Sequence, residues 1–228
     1  MKVTLKNGEV KEFDSPLSVY EIAASLSAGL AKKACAVEID GTPADLRTIV
    51  SGDCGLTILT FEDEGGRAAF HHTTSHILAQ AVKRLFPETK LAIGPSIADG
   101  FYYDFDRPEP FSPEDLEALE AEMKKIVKED LKLEYFTLPR EEAIALMKEK
   151  DEPYKVELIE DLPEEETISF YRQGEYTDLC AGPHLMTTGP VKAFKLTSIA
   201  GAYWRGDEHN KMLTRIYGTS FPKASDLE

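Results

Sequence analysis

MKVTLKNGEVKEFDSPLSVYEIAASL, residues 1–26, sets the fold of the N-terminal region. Val3 and Leu5 alternate with polar residues, the period of a half-buried strand. Asn7-Gly8 supplies a two-residue hairpin turn, after which Val10 and Phe13 resume the alternation. Asp14-Ser15-Pro16 breaks that second strand. Ser18 and Glu21 then stand at capping-box spacing, and Val19, Ile22, Ala23 and Leu26 form one apolar stripe, so a helix is expected from Ser18. Further out, strands are expected from Ala36 to Ile39 and from Leu56 to Phe61, separated by turn-rich sequence around Gly41, Ser51-Gly52-Asp53 and Gly55. A hairpin, a helix and then strands is the order of a ubiquitin-like β-grasp domain. No catalytic constellation falls inside it, so a binding or docking role is expected there.

Glu62-Asp63-Glu64-Gly65-Gly66 reads as a linker, dividing the chain into a β-grasp domain over 1–62 and a larger domain over 63–228. The second domain opens with a helix from about Ala68 to Leu85, stopped by Pro87. Pro95, Asp99 and Gly100 frame a turn into an aromatic strand, Phe101 to Phe105. Ser112, with Pro113 at the first helical position, starts a long helix whose single apolar face carries Leu116, Leu119, Met123, Ile126 and Val127. A shorter helix is expected near Arg140 to Lys150. Strands are expected from Ile168 to Arg172, Ala193 to Thr197 and Met212 to Tyr217. Segregated helices and antiparallel strands make the class α+β.

Composition narrows the function. With 228 residues, 42% hydrophobic and 29% charged, the chain suits one or two packed domains, not a disordered segment. No apolar run approaches the roughly 20 residues of a membrane span, and the N-terminus lacks the apolar core of a signal peptide. Three widely spaced cysteines give no disulfide framework and fit a reducing cytoplasm. The net charge of −15 argues against strong nucleic-acid binding in isolation. Acidic residues crowd between Glu109 and Glu166, however, and the stretch after Cys180 is mildly basic, with Lys192, Lys195, Arg205, Lys211 and Arg215 as a candidate RNA face.

The chemistry lies in two short motifs. In His71-His72-Thr73-Thr74-Ser75-His76, residues four apart share one helix face, so His72 and His76 converge while His71 points elsewhere. The zinc-protease version of this spacing places a glutamate beside the first histidine, and here that position is Thr73. In Tyr176-Thr177-Asp178-Leu179-Cys180-Ala181-Gly182-Pro183-His184, Gly182-Pro183 turns the chain so that His184 swings back toward Cys180. One thiol and three imidazoles form a tetrahedral zinc set, and they equally suit a metal-free site that positions water against an ester.

These motifs resemble the N-terminal part of a bacterial-type threonyl-tRNA synthetase, over nearly the whole chain. The matching segments are HHTTSH at 71–76, AIGPSIADGFYYDF at 92–105, EPYK at 152–155, YTDLCAGPH at 176–184 and AGAYWRGDEHNKMLTRIYGTSF at 200–221. Residues 1–61 resemble the TGS domain of these synthetases, and the remainder resembles the editing domain shared with alanyl-tRNA synthetase. The resemblance implies hydrolysis of serine mischarged onto threonine tRNA. One missing methyl is worth only about 1–3 kcal/mol of discrimination, so a synthetic site cannot exclude serine, and a second pocket must remove it.

Carried over residue by residue, the family's editing positions fall on His72, His76, Lys155, Asp178, Cys180 and His184. The resemblance implies that His72 and Lys155 hold the terminal ribose and phosphate, and that His76 and His184 place the attacking water. By the same token Asp178 receives the seryl ammonium and Cys180 lines the pocket. Apart from the resemblance, Lys155 reads as a surface lysine in a Glu/Lys-rich stretch. No cofactor is required in this reading, with zinc on His72, His76, Cys180 and His184 as the alanyl-type alternative. A noncatalytic tRNA-docking or regulatory module is the other alternative. Neither an arginine-bearing ATP loop nor a glycine-rich terminal motif of a class II core precedes Glu228, so no ATP site is expected. The chain fits a piece of a longer enzyme better than a free-standing editing protein. The partner implied is the acceptor end of a tRNA, with a monomer expected for this chain and a homodimer for the full synthetase.

Overall fold

A computed structural model describes all 228 residues. Strand β1 (Lys2–Leu5) pairs antiparallel with β2 (Val10–Glu12), Lys2 opposite Glu12 and Thr4 opposite Val10. That register leaves Lys6, Asn7 and Gly8 in the loop, not the two residues expected. The Leu5 carbonyl accepts from Gly8 N–H, Leu5 N–H donates to the Glu9 carbonyl, and Gly8 has φ +90°. This is the three-residue hairpin in which a left-handed residue forms a bulge. After β3 (Leu17–Ser18), α1 (Val19–Leu26) starts on the expected capping box: Glu21 N–H donates to Ser18 Oγ, and Ser18 N–H to the Glu21 carboxylate. Val19, Ile22 and Ala23 are fully buried.

A second short helix, α2 (Ala28–Lys33), was not foreseen; Ser27 closes α1 and caps α2. Then come β4 (Ala36–Ile39), β5 (Thr42–Ala44), β6 (Ile49–Val50) and β7 (Cys54–Leu59). The sheet runs β2-β1-β7-β4-β5 with β1 and β7 parallel at its centre, as a β-grasp requires. The helix and this sheet enclose Val3, Val19, Ile22, Val37, Leu46 and Leu56.

The expected linker is instead the start of α3 (Glu64–Leu85). A Cβ on Gly66 would lie 2.0 Å from the Thr60 carbonyl oxygen, so this glycine serves close approach of the first helical turn to the end of β7, not flexibility. Cys35, Ala36 and Leu59 of the N-terminal sheet join the same apolar core as Phe70, Ile77 and Leu78 of α3. The helix is buried nearly all round, which is why it shows no single apolar stripe.

Around α3 the chain adds β8 (Lys90–Leu91), β9 (Ser96–Ile97), β10 (Gly100–Asp106), α4 (Pro113–Glu129), β11 (Leu133–Thr137), α5 (Arg140–Glu149), α6 (Pro153–Asp161), β12 (Ser169–Gln173), β13 (Tyr176–Leu179), β14 (Ala193–Tyr203) and β15 (Met212–Phe221). Two antiparallel sheets result, β14-β15-β10-β8 and β11-β12-β13. The last two strands run beyond their expected ends because they pair with each other as one long hairpin, Tyr203 opposite Met212 and Ala193 opposite Phe221. At its tip Trp204 is buried against Tyr154 of α6, ring centroids 4.9 Å apart, and its indole N–H donates to Glu157. Tyr154 in turn donates to Asp106 of β10. Helix α6 is thereby clamped between hairpin tip and sheet, with Lys155 facing inward.

Most cations of the candidate RNA face lie beside carboxylates. Lys195 pairs with Glu120, Arg205 with Glu157 and Asp161, Lys211 with Asp106, and Arg215 with Asp104, leaving Lys192 alone of the five without an acidic partner. No helix is long and apolar enough to cross a membrane.

Candidate active site

Helix α3 presents His72 and His76 on one face, and the segment after β13 brings Cys180 and His184 against them. The ring centroids of His72 and His184 lie 4.2 Å apart, as do those of His76 and His184. Cys180 Sγ is 3.1 Å from His184 Nε2 and 3.4 Å from His72 Nε2. The turn that makes this closure fits only glycine at position 182: φ is +77°, and a Cβ would lie 2.1 Å from the Tyr171 hydroxyl. His71 points away, as expected, with Nδ1 3.0 Å from Ser220 Oγ. Access is graded. His72 and Cys180 are half-buried at the rim, whereas His76 and His184 lie beneath them.

Thr73, at the position where a metalloprotease carries glutamate, sets the protonation of His184. Its hydroxyl donates to the Ala69 carbonyl one turn back and accepts from Leu185 N–H. With its proton so used, Thr73 Oγ1 can only accept from His184 Nδ1, 3.0 Å away. The His184 Nε2 lone pair therefore faces Cys180 and the centre of the site. Burial keeps this ring neutral, its pKa well below the ordinary value, with the neighbouring His76 and His72 adding to the effect. Burial likewise lowers His72 to about 4 and His76 to about 3, against the pull of Asp178 in the other direction. Burial pushes the Cys180 thiol up to about 12, so at neutral pH it is a thiol and a poor nucleophile.

Beneath the histidines lies a second layer. Lys155, 4% exposed, places Nζ 2.8 Å from Asp178 Oδ1, and Asp178 is 2% exposed. Asp178 Oδ2 accepts from the Tyr103 and Tyr176 hydroxyls and lies 3.5 Å from His76 Nε2. Burial alone would raise the Asp178 carboxyl; Lys155, His76 and the tyrosine hydroxyl outweigh it and hold the group well below the usual carboxylate range. The surface placement of Lys155 suggested by composition is therefore wrong. Asp178 sits buried under the site, with Oδ2 bonded to both tyrosines and Oδ1 beside the Lys155 ammonium but without a hydrogen bond. Tyr103, Tyr176 and Thr73 were missed from sequence. Tyr176 was legible, since alternation along β13 puts it on the face of Asp178.

Glu152, 4% exposed, lies behind this layer with Oε1 3.5 Å from Lys83 Nζ and Oε2 without a partner. Burial raises its pKa to about 7, Lys83 opposing and Asp178 assisting. A raised carboxyl pKa means that the folded protein keeps a proton the unfolded chain has shed, so this stabilisation is full below about pH 4.5 and lost as pH rises through about 7. Glu152→Gln is expected to stabilise the protein at pH 8 by on the order of 1–3 kcal/mol and to change little at pH 4.5. Urea unfolding at both values checks this, and equal effects at the two would refute it.

The four donor atoms of His72, His76, Cys180 and His184 lie within 4.8 Å of one another. Zinc bonds of about 2.1–2.3 Å imply tetrahedral edges of about 3.5 Å, so a small contraction would let the set hold one ion. The buried His76 Nδ1 has no protein partner, which fits such a donor role.

Two domain families match the chain: the TGS domain over residues 1–60, and the threonyl and alanyl tRNA synthetase second additional domain over 168–217. Across all 228 residues the chain is 66% identical to a threonine–tRNA ligase of Acetivibrio thermocellus, 64% to one of Clostridium botulinum and 61% to one of Clostridioides difficile. It spans 36% of the length of each of these curated relatives. Both domain matches fall on the regions whose folds and side chains are described above, in the same order. The chain corresponds to the N-terminal TGS-plus-editing region of the bacterial threonyl-tRNA synthetases.

Proposed function

We propose that this chain hydrolyses the ester of serine mischarged onto threonine tRNA, at the cluster of His72, His76, Cys180 and His184. The observation that carries this reading is the neutral His184, whose Nε2 lone pair Thr73 turns toward Cys180, beneath the half-buried His72. A water held between His184 and His76 attacks the carbonyl carbon. Its proton passes to an imidazole as the ester C–O bond breaks, and the leaving ribose hydroxyl is reprotonated. His72, at the rim, contacts the terminal ribose, and Cys180 narrows the space where threonine would carry its methyl. Lys155 and Asp178 act from below: the ion pair and the two tyrosines fix His76, in place of the ribose and ammonium contacts first expected of them.

Zinc, if bound, would be held by His72, His76, Cys180 and His184 and would supply Lewis-acid polarisation. Four protein donors complete a tetrahedral shell, however, as in structural zinc sites, and this favours the metal-free reading. With four of the six lysines and arginines after Cys180 already paired with carboxylates, the chain itself offers little phosphate-binding surface, and weak tRNA affinity is expected. The test is release of serine from seryl-tRNA before and after exhaustive chelation. Activity that survives chelation supports the reading. Activity lost with the metal and restored by zinc assigns an alanyl-type zinc hydrolase, and none in either case leaves a docking module.

A further inference from the structure

The loop between β5 and β6 of the N-terminal region reaches the Cys180–His184 turn. Arg47 Nη1 donates to the His184 carbonyl at 3.1 Å and Nη2 to the Leu185 carbonyl at 2.6 Å. Its Nε and Nη2 both donate to the Leu133 carbonyl, at 3.1 and 2.9 Å. Asp45 Oδ1 holds Arg47 in this pose at 2.8 Å. Asp45 Oδ2 accepts from His184 N–H at 3.1 Å and from the Tyr171 hydroxyl at 2.6 Å. Tyr171 packs edge-on against the His184 ring, centroids 4.4 Å apart, and its hydroxyl occupies the space beside Gly182. The backbone of the catalytic turn is thus gripped on both its N–H and carbonyl sides by two residues about 140 positions earlier in the chain.

The arm behind this grip is rigid. Leu46, between the two, is fully buried in the N-terminal core, and its carbonyl accepts from Tyr20 N–H at the start of α1. Both Asp45 and Arg47 are largely buried, so the bonds are shielded from competing water. A guanidinium can serve three carbonyls at once from one plane; a lysine ammonium at the same place cannot.

We propose that Asp45 and Arg47 are positioning residues for the editing site, through which the N-terminal domain fixes the turn that carries Cys180 and His184. This rests on the hydrolytic reading above, but it makes a conformational claim that can be judged separately. The variants are Arg47→Lys and Asp45→Asn in the full chain, with Ile22→Val in the N-terminal core as a control for lost domain stability alone. Peptide-resolved hydrogen exchange should show segment 180–186 exchanging at least about tenfold faster in both variants, with α3 unchanged. In seryl-tRNA hydrolysis kcat should fall about 10- to 100-fold with KM nearly constant, because a misplacement near 1 Å has that cost. Ile22→Val should leave both readouts at wild-type values. Unchanged exchange in segment 180–186 overturns the proposal. So does faster exchange with wild-type kcat, or an equal effect from Ile22→Val. Should the wild-type chain itself fail to hydrolyse seryl-tRNA, the functional reading falls and the exchange result alone decides whether the N-terminal domain holds the turn.

Discussion

His72→Ala is expected to slow seryl-tRNA hydrolysis by about 10²–10⁴-fold while leaving circular dichroism and urea unfolding close to wild type. His72 stands at the rim, half-buried, and its one side-chain hydrogen bond is the 3.4 Å contact of Nε2 with Cys180 Sγ, which keeps His184 and Gly182 as partners, so its removal strands no buried group. His184→Ala should cost as much in rate, with a stability penalty of about 1–3 kcal/mol in addition. That difference follows from Thr73: without the ring, its oxygen keeps only the Leu185 N–H as donor inside a dry core. Single-turnover deacylation and urea titration separate the two effects. Wild-type rates in both variants would remove the site assignment.

The largest expected effect on stability belongs to Lys155. Lys155→Met should destabilise the fold by about 3–5 kcal/mol, because it leaves a buried carboxylate without its cation. The two tyrosine hydroxyls that remain both bond Asp178 Oδ2, which leaves Oδ1 buried without a hydrogen bond or a cation. Asp178→Asn should have a comparable cost by stranding the ammonium. The double variant, which removes both charges, should be more stable than the sum of the two losses predicts. Both single variants should also lose hydrolysis, since His76 loses the layer that fixes it. Additivity in the double-mutant cycle would show that the pair is not coupled and that Lys155 acts elsewhere.

Local signals carried much of this fold. The Ser18–Glu21 capping box, the alternation around Val3 and Leu5 and the stripe of α1 act within one turn of chain, and they placed the first elements correctly. Where a local signal has two meanings, tertiary packing decides between them. Gly65-Gly66 resembles a linker, yet Gly66 is small because a helix meets a carbonyl there. The hairpin register depended on a left-handed Gly8 and not on the Asn-Gly pair as a two-residue turn. In the site, the two histidine-bearing motifs were legible from spacing alone. The placement of Lys155 was not, because its burial is decided by Trp204, at the tip of a hairpin fifty residues away, packing on Tyr154 of α6. Asp45 and Arg47 gave no signal at all, since their partners lie in another region of the chain.

Selectivity for serine over threonine is read most directly by comparing two substrates. Threonine tRNA charged with serine, and the same tRNA charged with threonine, are each incubated with the chain in the presence of chelator. Serine is expected to be released at many times the uncatalysed rate and threonine at little more than background. Equal release of both, or no release of serine at high protein concentration, would rule out seryl-tRNA editing by this chain.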